Sequence, residues 1–359
     1  MAKVYFSPLS ERHDASEVSA TAAKLLGHIV TQEGLRLRDK VPLKVHFGEN
    51  GNQTFLGPEN YTGIIDFLKE KQVESCYIES NVLYGGRRNN RTNHLLTARE
   101  HGFTQLPVEI ADGEVGQDYY IQEIEGSQFK KCYLASGFQP YEQFIVLAHF
   151  KGHTLAGFGG ALKQLAMGFA SRGGKMAQHQ SAKPFIIPFL CRKCGACRKV
   201  CAVDAINLQT WWPRIDRQKC VGCAACTAAC PHHAIHTNYL RFLMLGSFTA
   251  RLAEYAYAAQ IGKQNIYLNF AMNLTAGCDC EGRKMKPLLP DIGIFASTDP
   301  VAIDKACLDK IDDATGKTVF RRGRELLDFT EKLGMGSQQY QLELVEAGVK
   351  MLRADARSE

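Results

Sequence analysis

The 359-residue sequence lacks any run approaching the roughly 18 uninterrupted apolar residues that a membrane-spanning helix requires, so no membrane partner is expected. Its first residues, Met1-Ala2-Lys3-Val4-Tyr5-Phe6-Ser7-Pro8, lack the apolar stretch and small-residue cleavage site of a secretory signal, and the expected location is cytoplasmic. A dinucleotide fingerprint is also missing. Nothing fits Gly-x-Gly-x-x-Gly after a strand with an acidic residue about 20 positions on, which argues against direct NAD use but not against a flavin. Neither sign of charge dominates: 43 Lys and Arg face 37 Asp and Glu, a net +6. The basic residues are scattered and lack aromatic interleaving outside one short block, so a nucleic-acid partner is not expected. With 45% hydrophobic and 22% charged residues, disorder, collagen-like repeats and a coiled-coil rod are excluded for the whole chain.

Cysteine is abundant instead. Eight of the 13 cysteines lie between Cys191 and Cys230. In a reducing compartment clustered thiols serve as metal ligands or catalysts rather than disulfides. Cys191-x2-Cys194-x2-Cys197-x3-Cys201 is followed, 18 residues on, by Cys220-x2-Cys223-x2-Cys226-x3-Cys230-Pro231. Three cysteines at i, i+3 and i+6 can wrap one face of a cubane cluster, and in two-cluster ferredoxins the fourth serves the other cluster. Cys191, Cys194, Cys197 and Cys230 are thus expected to hold one [4Fe–4S] cluster, and Cys201, Cys220, Cys223 and Cys226 the second. Paired structural zinc sites, which use Cys-x2-Cys pairs with longer spacers, fit this spacing poorly. Arg192, Lys193, Arg198 and Lys199 interleave the first run; they could dock an acidic electron carrier such as a ferredoxin or flavodoxin, or form an ordinary solvated basic surface.

Around this block the chain reads as alternating strands and helices, the pattern of an α/β fold. Strands are expected at Val41–Phe47, Ser75–Glu79, Asn265–Phe270 and Asp291–Ser297. Gln143–His149 is a near-continuous apolar run, as for a buried parallel strand. Helices are expected at Pro58–Lys71, Asn90–His101, Ala161–Met167, Tyr239–Gln260 and Pro300–Lys310, with a surface helix over Gln338–Arg353. The resulting organisation is an α/β domain, residues 1–180 and 238–359, interrupted by a small α+β ferredoxin-like insert over 181–237.

A two-cluster ferredoxin needs only about 55 to 60 residues, so chemistry is sought in the remaining chain. Cys278-Asp279-Cys280, between Gly277 and Gly282, offers two thiols for a metal or for redox work. His149-Phe150-Lys151-Gly152-His153 follows the buried strand, where open α/β sheets bind ligands. His46 and Glu49 occupy the same kind of edge. Gly157, Gly159 and Gly160 open a helix carrying Lys163 and could present backbone N–H groups to an anion, although Gly-Lys-Ser/Thr is missing from that loop. Asp299 is expected to cap the helix that starts at Pro300, and Cys76, Cys132 and Cys307 to be core residues.

Taken together, KVHFGE (44–49), HFKGH (149–153), GFGGALKQLAMG (157–168), SRGGK (171–175), CDC (278–280) and PDIGIFASTDPVAID (290–304) resemble the iron–sulfur centre proteins of the domain-of-unknown-function family 362. The resemblance runs nearly end to end, with the paired cysteine runs between the motifs. It implies an α/β domain interrupted by a two-cluster insert, and places His46, His149, Lys151, His153, Lys163, Cys278 and Cys280 at family-typical positions. Two readings follow. One is an oxygen-sensitive, ferredoxin-dependent oxidoreductase that passes low-potential electrons to a site in the α/β domain. There Cys278, Cys280, His149, His153 and His46 would act as ligands, thiols or proton donors, Lys151, Lys163 and the glycines would hold an anionic small-molecule substrate, and a further metal or a flavin is left open. The other is a non-enzymatic electron-transfer adaptor that docks a partner redox enzyme.

Overall fold

The structure is a computed structural model and is described for residues 1–180, 184–201, 204–217, 219–220, 225–236 and 248–346. An eight-stranded sheet organises it, in the spatial order Tyr340–Leu344, Ala2–Pro8, Gly293–Ser297, Ile266–Ala271, Ile145–His149, Leu43–Lys44, Tyr77–Glu79 and Val108–Ile110. Gly293–Ser297 runs antiparallel to both neighbours, and the other seven strands share one direction. The fold is therefore α/β.

Both faces of the sheet are covered, which is why its central strands are apolar at nearly every position. Ile145 and Leu147 join a core with Leu25, Leu43 and Ile64. Val146, pointing the other way, joins a core with Leu162, Leu165 and Leu252. The flanking helices begin where the sequence supplies caps. Asp299 accepts hydrogen bonds from the Val301 and Ala302 amides ahead of the helix Pro300–Thr315, with proline in its first turn, as expected. Cys76, Cys132 and Cys307 are buried core residues.

A third cluster of buried side chains, including Ile186, Ile206, Ile215 and Ile235, lies within the cysteine block. Phe185–Ile186 pairs antiparallel with Ile235–His236, so the two ends of the block meet. The boundaries expected near 181 and 237 fall at residues outside those described, as do Cys223 and the first part of the helix expected over Tyr239–Gln260; Phe248–Gln260 is helical.

Several expectations are corrected. The surface helix over Gln338–Arg353 is not formed at its start: Tyr340–Leu344 is a strand that extends the sheet parallel to Ala2–Pro8, in keeping with the two-residue alternation of Tyr340, Leu342 and Leu344. The remainder of that segment from residue 347 lies outside the described residues. Within Val41–Phe47 only Leu43–Lys44 pairs in the ladder, because the chain beyond Val45 leaves the sheet to build the site. The glycine-rich stretch after His149 is a small hairpin, Lys151–His153 against Gly157–Gly159. The strand Ala2–Pro8 and the helix Ala15–Gln32, capped by Asp14, are elements the sequence reading did not identify.

Candidate functional site

The carboxyl ends of the co-directional strands deliver His46, Glu79, His149 and the loop following Ala271 to one edge of the sheet. Ligands in open α/β sheets bind at such edges. The loop carries the Cys-Asp-Cys sequence as a tight turn. The Glu281 amide donates to the Cys278 carbonyl at 2.8 Å, and the Glu49 amide donates to the Asp279 carbonyl at 2.9 Å. The two thiols meet His153, with Lys163 beside Cys278, whereas Asp279 meets His149 and Lys151.

Asp279 is 1% exposed and anchors the turn. Its carboxylate is ion-paired with Lys151 and lies 2.9 Å from His149 Nδ1. Lys151 Nζ is 2.8 Å from that same nitrogen, and the Met272 carbonyl lies 2.7 Å from Nε2. Burial alone would raise the Asp279 carboxyl, but His149 and Lys151 outweigh it and hold the group well below the ordinary carboxylate range. Both His149 nitrogens are thus engaged, so His149 positions Asp279 rather than offering a free ligand. His46 is similarly committed: Arg88 Nη2 lies 3.1 Å from Nε2 and the Gly48 amide 3.2 Å from Nδ1. Burial, then Arg88, pushes its ring well below the usual histidine value and keeps it neutral.

On the thiol side, His153, Cys278 and Cys280 each bring a ligand atom within 4.8 Å of the others. Lys163 Nζ is 3.6 Å from Cys278 Sγ, and the Cys280 amide is 3.4 Å from the same sulfur. The Cys280 thiol donates towards Cys278, which holds Cys278 well below the usual thiol value despite burial, with Lys163 and His153 adding to the effect; Cys280, as the donor, is pushed up. One thiolate and one thiol result. His153 Nδ1 accepts the Leu155 and Ala156 amides at 3.2 and 3.0 Å. Its ring is held below the usual histidine value, by burial first and then by Lys163, and so is neutral with its proton on Nε2. As it stands this ring is a hydrogen-bond donor for a thiolate. A metal ligand more usually donates its second ring nitrogen to an acceptor.

The glycine loop is placed differently from the sequence reading. The Ala161 and Leu162 amides donate to Asp304 at 2.8 and 3.0 Å, so the anion at this helix start is the chain's own buried carboxylate. A Cβ at Gly160 would lie 2.3 Å from Asp304 Oδ1, and one at Gly157 would lie 1.7 Å from the Arg322 carbonyl oxygen. Gly157 and Gly160 thus permit close packing, and Gly159 and Gly160 line a small pocket with Lys163 and Cys278.

Beside the thiols opens a cavity of about 560 Å³, lined by His153, Lys163 and Cys280 and, from residues the sequence reading did not select, by Arg88, Arg172 and Lys175. Arg88 is fully buried, with Nε 3.4 Å from Glu49 and Nη2 donating to the Tyr84 hydroxyl at 2.7 Å. Below it Lys44 and Glu79 form a buried ion pair at 3.0 Å. Thr227, next to Cys226 in the helix Ala225–Ala229, lines the same cavity.

In the cysteine block, Cys191, Cys194, Cys197 and Cys230 line one small cavity. Gly195, at φ +80°, takes the left-handed turn that brings Cys197 round to it. Cys201, Cys220 and Cys226 belong to the block's own core. The Ala205 and Ala234 amides donate to Cys201 and Cys230 Sγ at 3.2 and 3.3 Å.

An α/β body with a thiol site at its strand ends and a compact cysteine block at its side defines the class of protein. The chain belongs to the family described as Domain of unknown function (DUF362), whose model matches residues 41–309, a range that holds both cysteine runs and the whole strand-end site. Over 51 residues it is 41% identical to an uncharacterized ferredoxin of Methanocaldococcus jannaschii, covering 14% of this chain and 34% of that protein. Over 45 residues it is 42% identical to a component of the ion-translocating oxidoreductase complex of Methanosarcina acetivorans, covering 12% and 17%. The chain thus spans about a third or less of the length of these curated relatives. Among solved structures it is similar to a Thermotoga maritima protein (TM-score 0.43, 9% identity, 84% of this chain and 60% of that one). It is also similar to the lactate racemase apoprotein of Thermoanaerobacterium thermosaccharolyticum (TM-score 0.44, 11% identity, 88% and 58%). Among the described residues no helix is long and apolar enough to cross a membrane.

Proposed function

We propose that this chain is an iron–sulfur oxidoreductase that binds two [4Fe–4S] clusters and acts on a small molecule at the Cys278–Cys280 thiol pair. The similarity to ferredoxins and the four-cysteine cavity support the cluster binding. When bound, the clusters supply low-potential single electrons. The observation that carries the oxidoreductase reading is the shared cavity: Thr227, the neighbour of the cluster ligand Cys226, and the site residues His153 and Cys280 line one space. A docking adaptor has no need of a cavity between its cysteine block and a buried thiolate.

The chain's own residues have defined tasks. Lys163 and the His153 Nε2 proton hold negative charge on Cys278, and Asp279 fixes the turn. Exposed Phe189, Trp211 and Trp212, beside exposed Arg192 and Lys193, offer an apolar and basic face for an acidic carrier such as ferredoxin or flavodoxin. A metal held by His153, Cys278 and Cys280 is the second reading, favoured by the mutual proximity of their ligand atoms. It requires the His153 ring to give up its Nε2 proton or its two backbone donors.

The test uses the full chain purified without oxygen. Reduced ferredoxin or flavodoxin should bleach the cluster absorbance, and one or more organic anions from a panel should restore it. Cys278→Ser should bleach normally and lose the recovery. A chain that bleaches but is reoxidised only by another redox protein is the adaptor, and unchanged recovery in Cys278→Ser rules out the thiol site.

A further inference from the structure

We infer that the cavity beside the thiol pair takes an amphipathic organic anion, with one carboxylate or similar head against Arg88 and Lys163 and an apolar body along the apolar lining. At about 560 Å³ the cavity falls in the range of small-molecule sites, about 300–1,000 Å³. Leu83, Leu155, Met167, Met176, Phe248 and Leu252 supply much of its apolar lining. Arg88, Lys163, Arg172 and Lys175 line it too, with two carboxylates, Glu79 and Glu281. Those two are already committed, Glu79 to Lys44 at 3.0 Å and Glu281 to Arg283 at 2.7 Å.

The charge balance around this cavity identifies the missing partner. Lys44, Arg88, Arg172 and Lys175 are buried, and Lys163 stands beside them, so five cations converge here. Among the described residues, the buried carboxylates that act on these cations are Glu49, Glu79 and Asp112. Lys151 and Asp279 balance each other and leave this count unchanged. The cations thus outnumber the carboxylates around this cavity. One donor among them is also unsatisfied. Arg88 Nη1 is buried without a hydrogen-bond partner, whereas Nε and Nη2 of the same guanidinium are engaged. A buried donor left without an acceptor is costly, and a bound anion relieves that cost. One unsatisfied guanidinium nitrogen in a mainly apolar lining fits a single carboxylate on a hydrocarbon body better than a nucleotide, whose several phosphate charges would need more donors. Binding stands on the cavity alone; the anion's role as substrate rests on the oxidoreductase reading above.

Isothermal titration calorimetry of the anaerobically purified full chain tests this with three probes: decanoate, decanol and inorganic phosphate. Decanoate is expected to bind at one site per chain, with decanol and phosphate each at least tenfold weaker. Arg88→Lys should weaken decanoate at least tenfold while leaving decanol and the iron content unchanged. Arg88 is buried against Glu49, so if that variant fails to fold, Lys163→Gln provides the second reading, with the same expected loss. Equal binding of decanoate and decanol overturns the anionic head, and phosphate binding as tightly as decanoate overturns the apolar body. Absence of decanoate binding, or full affinity in the folded variants, overturns the site itself. Decanoate binding in a chain without oxidoreductase activity defeats the proposed function and leaves this site standing.

Discussion

The cysteine block and the strand-end site are built in opposite ways. Cys191, Cys194 and Cys197 reach one cavity from a single turn, with Cys230 arriving from the second run. The strand-end site draws His46, Arg88, Lys163 and Cys280 to one cavity from four separate segments, with the sheet as its frame. In the first region the ligands are local and the fold around them is small; in the second the geometry exists only because a large core holds it. A single substitution should therefore remove a cofactor from the block while sparing the sheet, and should unsettle the sheet end while sparing the cofactors.

The largest effect is expected in the block. Cys194→Ser should lose about four of about eight irons per chain, read as iron and acid-labile sulfide, with little change in far-ultraviolet circular dichroism. Full iron retention would break the contrast on the block's side. Next is Asp279→Asn, which leaves Lys151 buried without its carboxylate. It should destabilise the α/β body by about 3–5 kcal/mol in urea unfolding while iron content holds. A cost below about 1 kcal/mol would show that the Asp279 anchor is not structural.

Asp304→Asn should cost about 1–3 kcal/mol, because the Ala161 and Leu162 amides donate to different carboxylate oxygens and asparagine puts an NH2 group in place of one of them. Burial pushes the Asp304 carboxyl up to about 6, so the folded state holds its proton more tightly than the unfolded state does. This group's contribution to stability therefore rises as pH falls from about 6 towards about 4. The advantage of wild type over Asp304→Asn should widen across that interval, and a flat difference would contradict the assignment. The smallest effect is kinetic. Lys193→Glu should slow reduction by an acidic carrier, more so at low salt, and leave stability within about 0.5 kcal/mol; equal rates at all salt concentrations would remove this face from docking.

The same contrast explains what could be read from the sequence. Ligand spacing is a property of neighbours, so the cysteine runs were visible as such. The strand Ile145–His149 and the Asp299 cap were visible for the same local reason. The Cys-Asp-Cys turn and His153 stood out because sulfur and imidazole are unusual in a glycine-bounded loop. Arg88 did not, since Gly-Gly-Arg-Arg-Asn-Asn reads as an exposed basic turn, and only the tertiary fold buries its second arginine. The glycine loop misled for a related reason. A helix start that suits an external anion suits an internal one equally well, and Asp304 lies 143 residues away from the amide it meets. Tyr340–Leu344 is ambiguous in sequence because a short amphipathic segment carries too few residues to separate a period of two from one of 3.6.

The central claim is that the block holds two iron–sulfur clusters beside a thiol site that works without a metal of its own. Elemental analysis of the anaerobically purified chain, with acid-labile sulfide, tests it most directly. The account predicts about eight irons and eight sulfides per chain and no stoichiometric second metal. About two zinc ions with no labile sulfide would contradict the clusters, and a further metal lost in Cys278→Ser with iron retained would contradict the thiol site.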